Sequence, residues 1–319
     1  MTKLNESRWW IMNQKELEQL VIKNKSYCSE GQNAHYIPAL AKVNPNQLGI
    51  TLYNIKTRDM LSAGESSVKF AIESISKVPA LLLAIEDNGL SNVLNHINTE
   101  ATGFSFNSPL NMEINHDKHP LNPFVNIGAI ETTSLIQGSS PDDCYSRLLS
   151  FIKEICHDNT ISLNEEIYQS EAKTGDINRS LAYYLKGNNM LSKEVEGVLE
   201  VYFKQCSLNV TTENIAMMAS VLANKGIKPW DNKRLISEES ATLVKSVMTT
   251  AGLYDESGEF SAHVGIPGKS GVGGGLMGVS PNQFGIGVFS PPLDKSGNSL
   301  AGVRLLKDVV TKLHLNIFD

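Results

Sequence analysis

Four serines in this 319-residue chain are followed three positions later by a lysine: Ser66/Lys69, Ser74/Lys77, Ser150/Lys153 and Ser170/Lys173. That spacing puts a hydroxyl and an amine on one face of a helix. A lysine stripped of water can give up its proton and serve as base for the serine, which is the chemistry of a serine nucleophile. Surroundings separate the four pairs. Ser74 follows the β-rich segment FAIE and precedes the apolar run that begins at Val78. A strand-to-helix corner of that kind exposes a hydroxyl and aims backbone N–H groups at a developing oxyanion. Ser66 falls in a polar turn, and Ser150 lies inside an ordinary amphipathic helix with Lys153 facing solvent. Taken alone, Ser74/Lys77 is more simply a helix cap beside a solvated lysine.

A second motif shifts that balance. Lys-Ser-Gly occurs at 269–271 and again at 295–297. The later copy sits in a Pro/Asp/Gly/Asn turn before the final helix, and turn chemistry accounts for it. The earlier copy opens a predicted strand, GKSGVGGGLMGVS, whose glycines read as strand and bulge. Beside Ser74, that strand would offer a hydroxyl, an ammonium for a substrate carboxylate and an N–H for an oxyanion hole. Ser-x-x-Lys early and Lys-Ser-Gly late is the order used by the penicillin-recognising serine enzymes. Their middle motif is not readable, because Ser-x-Asn recurs, at Ser105, Ser162 and Ser207 among other places. The residues therefore point to an acyl-transferring serine enzyme. Metal and phosphate chemistry have less behind them. The seven histidines are scattered, the close pair His116/His119 sits in a polar loop, and HExxH is absent. Gly271–Gly275 has neither the ending of a phosphate loop nor the GxGxxG order.

These groups need elements to hold them. Leu17, Leu20 and Val21 share one face of a short predicted helix. GITLYNIK and MLSAG are predicted to form an antiparallel hairpin. From Ser76 to about Leu253 the pattern is mainly helical, with SKVPALLLAIEDNGL closed by Gly89 and LEVYFKQCSL, TENIAMMASVLANKG and EESATLVKSVMTTAG following. Loops are predicted at 100–128 and 174–190. Strands return at GKSGVGGGLMGVS and QFGIGVFSPPL, and an amphipathic helix closes the chain. Strands at both ends around a helical middle predict an α/β fold of the α+β type: a mostly antiparallel sheet with flanking helices and an inserted helical lobe. The expected division is an N-terminal extension over 1–12, carrying Trp9-Trp10 as a disordered segment or an oligomer contact. One catalytic domain over 13–319 follows, with its α/β lobe at about 30–75 and 245–319 and its helical lobe at about 76–244.

Composition excludes several alternatives. A hydrophobic fraction of 41% supports a sizeable core and argues against global disorder. Twenty-eight basic against 34 acidic residues leave a net charge of -6 and no excess to neutralise phosphates, so no nucleic-acid partner is expected. The longest apolar run, Val78 to Ile85, is far short of the roughly 20 residues of a membrane span. The N-terminal segment lacks a signal-peptide core, and Cys28, Cys144, Cys156 and Cys206 show no CxxC. Free thiols in a reducing cytoplasm are the expectation.

Several segments together resemble the cytoplasmic glutaminase family: HYIPALA, FAIESISKV, ATGFSFNS, NPFVNIGAI, QSE with INRSLAYYL, VYFKQCSL, TTAGLYDESGEF, GIPGKSGVGGG and DKSGNSLAG. They run in the family's order from about residue 30 to 316. The resemblance implies a serine β-lactamase-like, penicillin-binding-protein-like fold. It also implies hydrolysis of L-glutamine to L-glutamate and ammonia through a glutamyl-serine ester, with no metal or cofactor, in a homodimer or homotetramer. Carried over block by block, Ser74 would be the nucleophile and Lys77 its base. Asn126, Glu171, Asn178, Tyr202, Tyr254, Val272 and Tyr36 would line the substrate. Glu171 would meet the α-ammonium, while Asn126, Asn178 and a tyrosine would meet the α-carboxylate. The N–H groups of Ser74 and Val272 would form the oxyanion hole, and Tyr202 or Tyr254 would assist proton transfer to the leaving ammonia. Alone, each of these has a plainer reading, as a turn residue or a core tyrosine. The chain also departs from the family's pattern. Ile127 stands where alanine is common, His35 replaces an aspartate before Tyr36, and Glu73 stands where some members have glutamine; adjoining the nucleophile, Glu73 bears on the local pKa balance. Two other readings share the pocket: an exported β-lactamase or peptidase-like enzyme, and a non-catalytic glutamine or glutamate sensor.

Overall fold

The computed structural model describes residues 12–108, 112 and 119–319. Trp9-Trp10, with the rest of 1–11, and His116 lie outside the described residues. Eight strands are found among the described residues: β1 (Gly49–Asn54), β2 (Met60–Gly64), β3 (Phe70–Ala71), β4 (Ser162–Leu163), β5 (Leu208–Val210), β6 (Gly268–Ser270), β7 (Gly275–Ser280) and β8 (Phe284–Phe289). The helices that bear on the site are α1 (Gln14–Asn24), α2 (Lys77–Asn88), α3 (Asn126–Leu135), α4 (Glu165–Thr174), α5 (Asp176–Gly187), α6 (Val195–Cys206), α7 (Thr212–Ala223) and α8 (Leu300–Leu313).

Five strands form one antiparallel sheet in the order β2-β1-β8-β7-β6, so the early hairpin and the late strands share it as predicted. The small antiparallel sheet β3-β5-β4 lies apart. Alternation along the large sheet divides its faces, since successive side chains point to opposite sides. Ile50, Leu52, Leu276, Ile286 and Val288 pack with Leu17 and Val21 of α1 and with Leu305, Leu306 and Val309 of α8. On the other face Met277, Val279 and Phe289 join a core with Leu81, Leu148 and Met248 of the helical body. Two glycines of β8 allow α7 to lie directly on that second face. A Cβ on Gly285 would stand 2.1 Å from the Ala216 carbonyl oxygen, and one on Gly287 would stand 2.0 Å from that of Thr212. A hydroxyl contact of 2.7 Å between Thr51 and Thr212 pins the same approach. Thus α7, although from the middle of the helical block, is a layer on the sheet.

Two predicted elements differ in the structure. GKSGVGGGLMGVS is a hairpin rather than one strand, with β6 and β7 antiparallel and joined through Gly271–Gly274. Gly274 takes φ +92, and the turn is closed by Gly274 N–H donating to Gly271 O at 2.9 Å. The segment 174–190, predicted as a loop for its glycines and asparagines, contains α5, whose Leu181, Ala182 and Leu185 are buried on one face. Helix α2 accounts for the position of the site. Every residue from Lys77 to Ile85 is buried, the pattern of a helix surrounded by protein on all sides. Its N-terminus, which continues from the turn Glu73–Ser76, is therefore held deep in the molecule. No helix among the described residues is long and apolar enough to cross a membrane.

Candidate active site

The corner at Ser74 is tight. Strand β3 runs through Ile72 into a single 3₁₀ turn, Glu73–Ser76, which leads straight into α2. Glu73 adopts φ +48, the left-handed region that a residue with a Cβ enters at a cost of about 1–2 kcal/mol. That strain turns the chain sharply and leaves Ser74 at the bottom of a cleft, 8% exposed. The glycine turn after β6 closes on the corner. A Cβ on Gly273 would lie 2.5 Å from the Ala71 carbonyl oxygen, and one on Gly271 would lie 2.9 Å from that of Ile72. Val272, between them, reaches the same cleft. The Tyr254 hydroxyl lies next to Ser74 and donates to Ser270 O at 3.4 Å. Tyr254 is itself in a left-handed conformation, φ +55, and packs its ring 4.5 Å from that of Phe106.

Lys77 opens α2, one turn beyond Ser74, and is 1% exposed. Its Nζ donates to Phe124 O at 3.0 Å and to Asn126 Oδ1 at 2.7 Å. Burial disfavours the charged ammonium and lowers its pKa to about 8. Asn126, the first residue of α3, then donates from Nδ2 to Asn178 Oδ1 of α5 at 2.9 Å. A continuous polar chain thus links Lys77, Asn126 and Asn178 across three helices. Asn122 shapes the entry to α3 by accepting from the N–H groups of Phe124 and Val125, each at 3.0 Å.

A cavity of about 350 Å³ opens beside this chain of bonds, and Lys77 lies behind its wall. Ser74, Asn126, Glu171, Asn178, Tyr202 and Val272 all face it. Tyr36 lies at its rim and is 59% exposed. Tyr202 and Tyr254 are buried, and burial first of all raises both phenols, which stay protonated. Glu171 is buried and its pKa is raised by desolvation. Glu73, buried on the same cavity, is raised further, by burial and by the neighbouring Glu171. Tyr254 is not among the residues that line the cavity; it lies beside Ser74 with its hydroxyl on Ser270 O.

The structure places the remaining motifs elsewhere. Ser150 donates to Ser146 O on an exposed helix face, and Ser170 accepts from Ala39 N. Ser296 of the second Lys-Ser-Gly donates to Glu256 Oε1 at 3.0 Å within a turn. Lys269 of the first copy, expected to present an ammonium to substrate, is fully buried. It donates to Gly252 O and Ser270 O and sits 4.9 Å from the Tyr254 ring centroid. It supports Tyr254 from behind instead of lining the cavity. Sequence reasoning did not place Glu73, Phe106 and Cys206 in the site, although all three line the cavity. A residue next to a nucleophile is the one readable signal among them. No group of three or more His, Cys, Asp or Glu capable of holding a metal occurs among the described residues.

Comparison with known proteins agrees over nearly the full length. Residues 31–318 match the family model Glutaminase. The chain is 55% identical to Glutaminase 1 of Clostridium perfringens over 302 residues, covering 95% of this chain and 98% of that protein. It is 47% identical to a glutaminase of Clostridium tetani, covering 96% and 100%. Among solved structures it is similar to the Bacillus subtilis glutaminase YbgJ in covalent complex with 5-oxo-L-norleucine, formed by reaction with 6-diazo-5-oxo-L-norleucine. The TM-score is 0.87, with 37% identity and coverage of 96% of this chain and 99% of that one. The architecture described above is the serine β-lactamase-like fold shared with these bacterial glutaminase structures. A cavity of this composition, in this fold, with matches over more than nine-tenths of the sequence, places the chain in the glutaminase family.

Proposed function

We propose that this chain hydrolyses L-glutamine to L-glutamate and ammonia through a glutamyl-serine ester. The observation that carries this reading is the environment of Lys77. A neutral amine has two N–H donors and one lone pair. Phe124 O and Asn126 Oδ1 take both donors, which leaves the lone pair to receive the Ser74 proton. The serine oxygen then attacks the side-chain amide carbon. Backbone N–H groups of Ser74 and Val272 take up the oxyanion, and ammonia leaves with a proton delivered through Tyr254 or Tyr202. Water repeats the sequence on the ester and releases glutamate. Glu171 meets the substrate α-ammonium, and Asn126, Asn178 and the rim tyrosine Tyr36 meet its α-carboxylate. Residues 13–319 act as one catalytic domain, a reading supported by the core that sheet and helices share. Assembly as a homodimer or homotetramer and a cytoplasmic location belong to the same proposal. Four buried free thiols support a reducing compartment.

The test is direct. Purified protein releases ammonia from L-glutamine, and Ser74→Ala lowers the rate about 10⁴-fold or more. Mass spectrometry after 6-diazo-5-oxo-L-norleucine finds the adduct on Ser74. Hydrolysis of a β-lactam with glutamine untouched, or glutamine binding with neither turnover nor adduct, overturns the reading.

A further inference from the structure

One of the two acceptors on Lys77 is a backbone carbonyl just outside a helix. Val125 O, at the N-cap of α3, accepts from Ala129 N–H at 2.9 Å and so begins the helical ladder. Phe124 O, one residue earlier, turns to Lys77 Nζ instead. Val125 has no polar side chain with which to cap the helix, so the N–H groups at this entry need partners from elsewhere. Asn122 supplies them. It is fully buried, and its Oδ1 accepts from both Phe124 N–H and Val125 N–H. Its Nδ2 donates to Glu100 O at 2.7 Å, and Glu100 N–H donates in turn to Leu121 O at 2.7 Å. Pro123 fixes φ in the middle of this turn. Gly128 closes it from the other side, where a Cβ would stand 2.0 Å from the Asn122 carbonyl oxygen. Phe124 is 1% exposed, and its ring lies 5.6 Å from Lys269 Nζ. The peptide that carries the acceptor is thus held by its own N–H, by the N–H that follows it and by its ring.

We propose that Asn122 is a positioning residue for the base: by gripping the N–H groups of Phe124 and Val125 it aims the Phe124 carbonyl at Lys77 Nζ, and so orients the amine toward Ser74. Without that grip the carbonyl can rotate, one N–H of the neutral amine loses its partner, and the lone pair is no longer fixed in direction. The inference rests on the assignment of Lys77 as the base. The charged and titratable groups that face Lys77 are Glu73 on the turn before it, Glu171 from α4, Cys206 from α6 and Lys269 from β6. Asn122 is neutral, so its replacement by alanine or serine leaves that set of charges as it is.

The experiment compares Asn122→Ala and Asn122→Ser with the parent protein. Alanine removes the acceptor from both N–H groups, whereas a serine hydroxyl still accepts from an N–H two residues on. In Asn122→Ala kcat for L-glutamine falls about 10-fold or more while KM stays within about 3-fold, and Asn122→Ser keeps kcat within about 3-fold of the parent. A carbonyl that turns away also takes an acceptor from the ammonium form. The rising limb of kcat/KM therefore moves to lower pH by about half a pH unit or more in Asn122→Ala. Carbon-13 NMR of ε-labelled lysine, with the Lys77 signal assigned by its loss in Lys77→Arg, reads the same displacement without substrate. A parental kcat in Asn122→Ala overturns the proposal. So does an equal loss in both variants, or a lowered kcat with the Lys77 titration unmoved, in proteins of unchanged circular dichroism. A Lys77 titration displaced by Asn122→Ala, in a protein whose parent releases no ammonia, would sustain the positioning while sinking the proposed reaction.

Discussion

Lys77 can accept a proton only in its neutral form, and burial brings its pKa to about 8. The expected pH profile follows from that sign. kcat/KM rises with pH through about 8, because the active form is the deprotonated one. Lys77→Arg, which keeps its charge at every accessible pH, is expected to lose both the activity and this rising limb. A pH–rate series on the two proteins checks it; a flat profile for the parent between pH 6 and 9 would remove Lys77 from its role. At this scale the sequence was legible where partners are close along the chain. Ser74 and Lys77 stand three apart, and their spacing alone suggests a dyad. Asn126 lies 49 positions from Lys77, and Asn178 a further 52, so no local pattern joins them. Only the family resemblance named those two, and hydrogen bonds through α3 and α5 bring them together. Lys269 was misjudged because a Lys-Ser-Gly motif does not tell which side of its strand faces the cleft. A lysine behind an aromatic ring looks the same in sequence as one in front of it.

The glycine turn between β6 and β7 clamps the corner at Ser74, and it belongs to the scale of elements. Gly273→Ala would set a Cβ 2.5 Å from the Ala71 carbonyl oxygen, so the turn must back away and carry Val272 N–H with it. A misplacement approaching 1 Å at an oxyanion donor lowers kcat by about 10–100-fold. KM is expected to change little, since Glu171 and Asn178 stand on other elements. Steady-state kinetics on Gly273→Ala tests this, and a variant with parental kcat would show that the clamp is dispensable. The same glycines explain why this region was read as one strand. Five small residues in a row look like bulge chemistry, whereas the left-handed Gly274 makes them a reversal. Helix α5 escaped for a related reason. Gly175 and the Gly-Asn-Asn at its end suggest a loop, and they outweighed the spacing of Leu181 and Leu185, which does mark a buried helical face. By contrast, the β1–β2 hairpin and α8 were plain, because alternation and helical periodicity run there without interruption.

The whole molecule carries a further buried acid whose effect is on folding. Glu131 of α3 is fully buried, contacts His96 Nδ1 at 3.1 Å, and leaves Oε2 without a partner among the described residues. Burial pushes its pKa up to about 8. The folded protein therefore keeps a proton there that the unfolded chain gives up near pH 4.5, so the unfolded state binds fewer protons in between. Stability from this group is fully present below about pH 4.5 and is lost as pH rises through about 8. Thermal unfolding of Glu131→Gln against the parent should show the parent losing ground steadily from about pH 5 to 8; parallel curves would refute it. The two-ended sheet has another consequence, which concerns synthesis. Strand β1 ends at Asn54, yet its inner neighbour β8 starts at Phe284, more than 200 residues later. The turn that closes on Ser74 is also almost 200 residues downstream of it. A growing chain therefore carries Ser74, Lys77 and part of the sheet before the turn that covers Ser74 exists. The Ser74 corner is closed only once β6 to β8 are made, and until then the β1 edge that β8 covers is unpaired and needs protection from other chains.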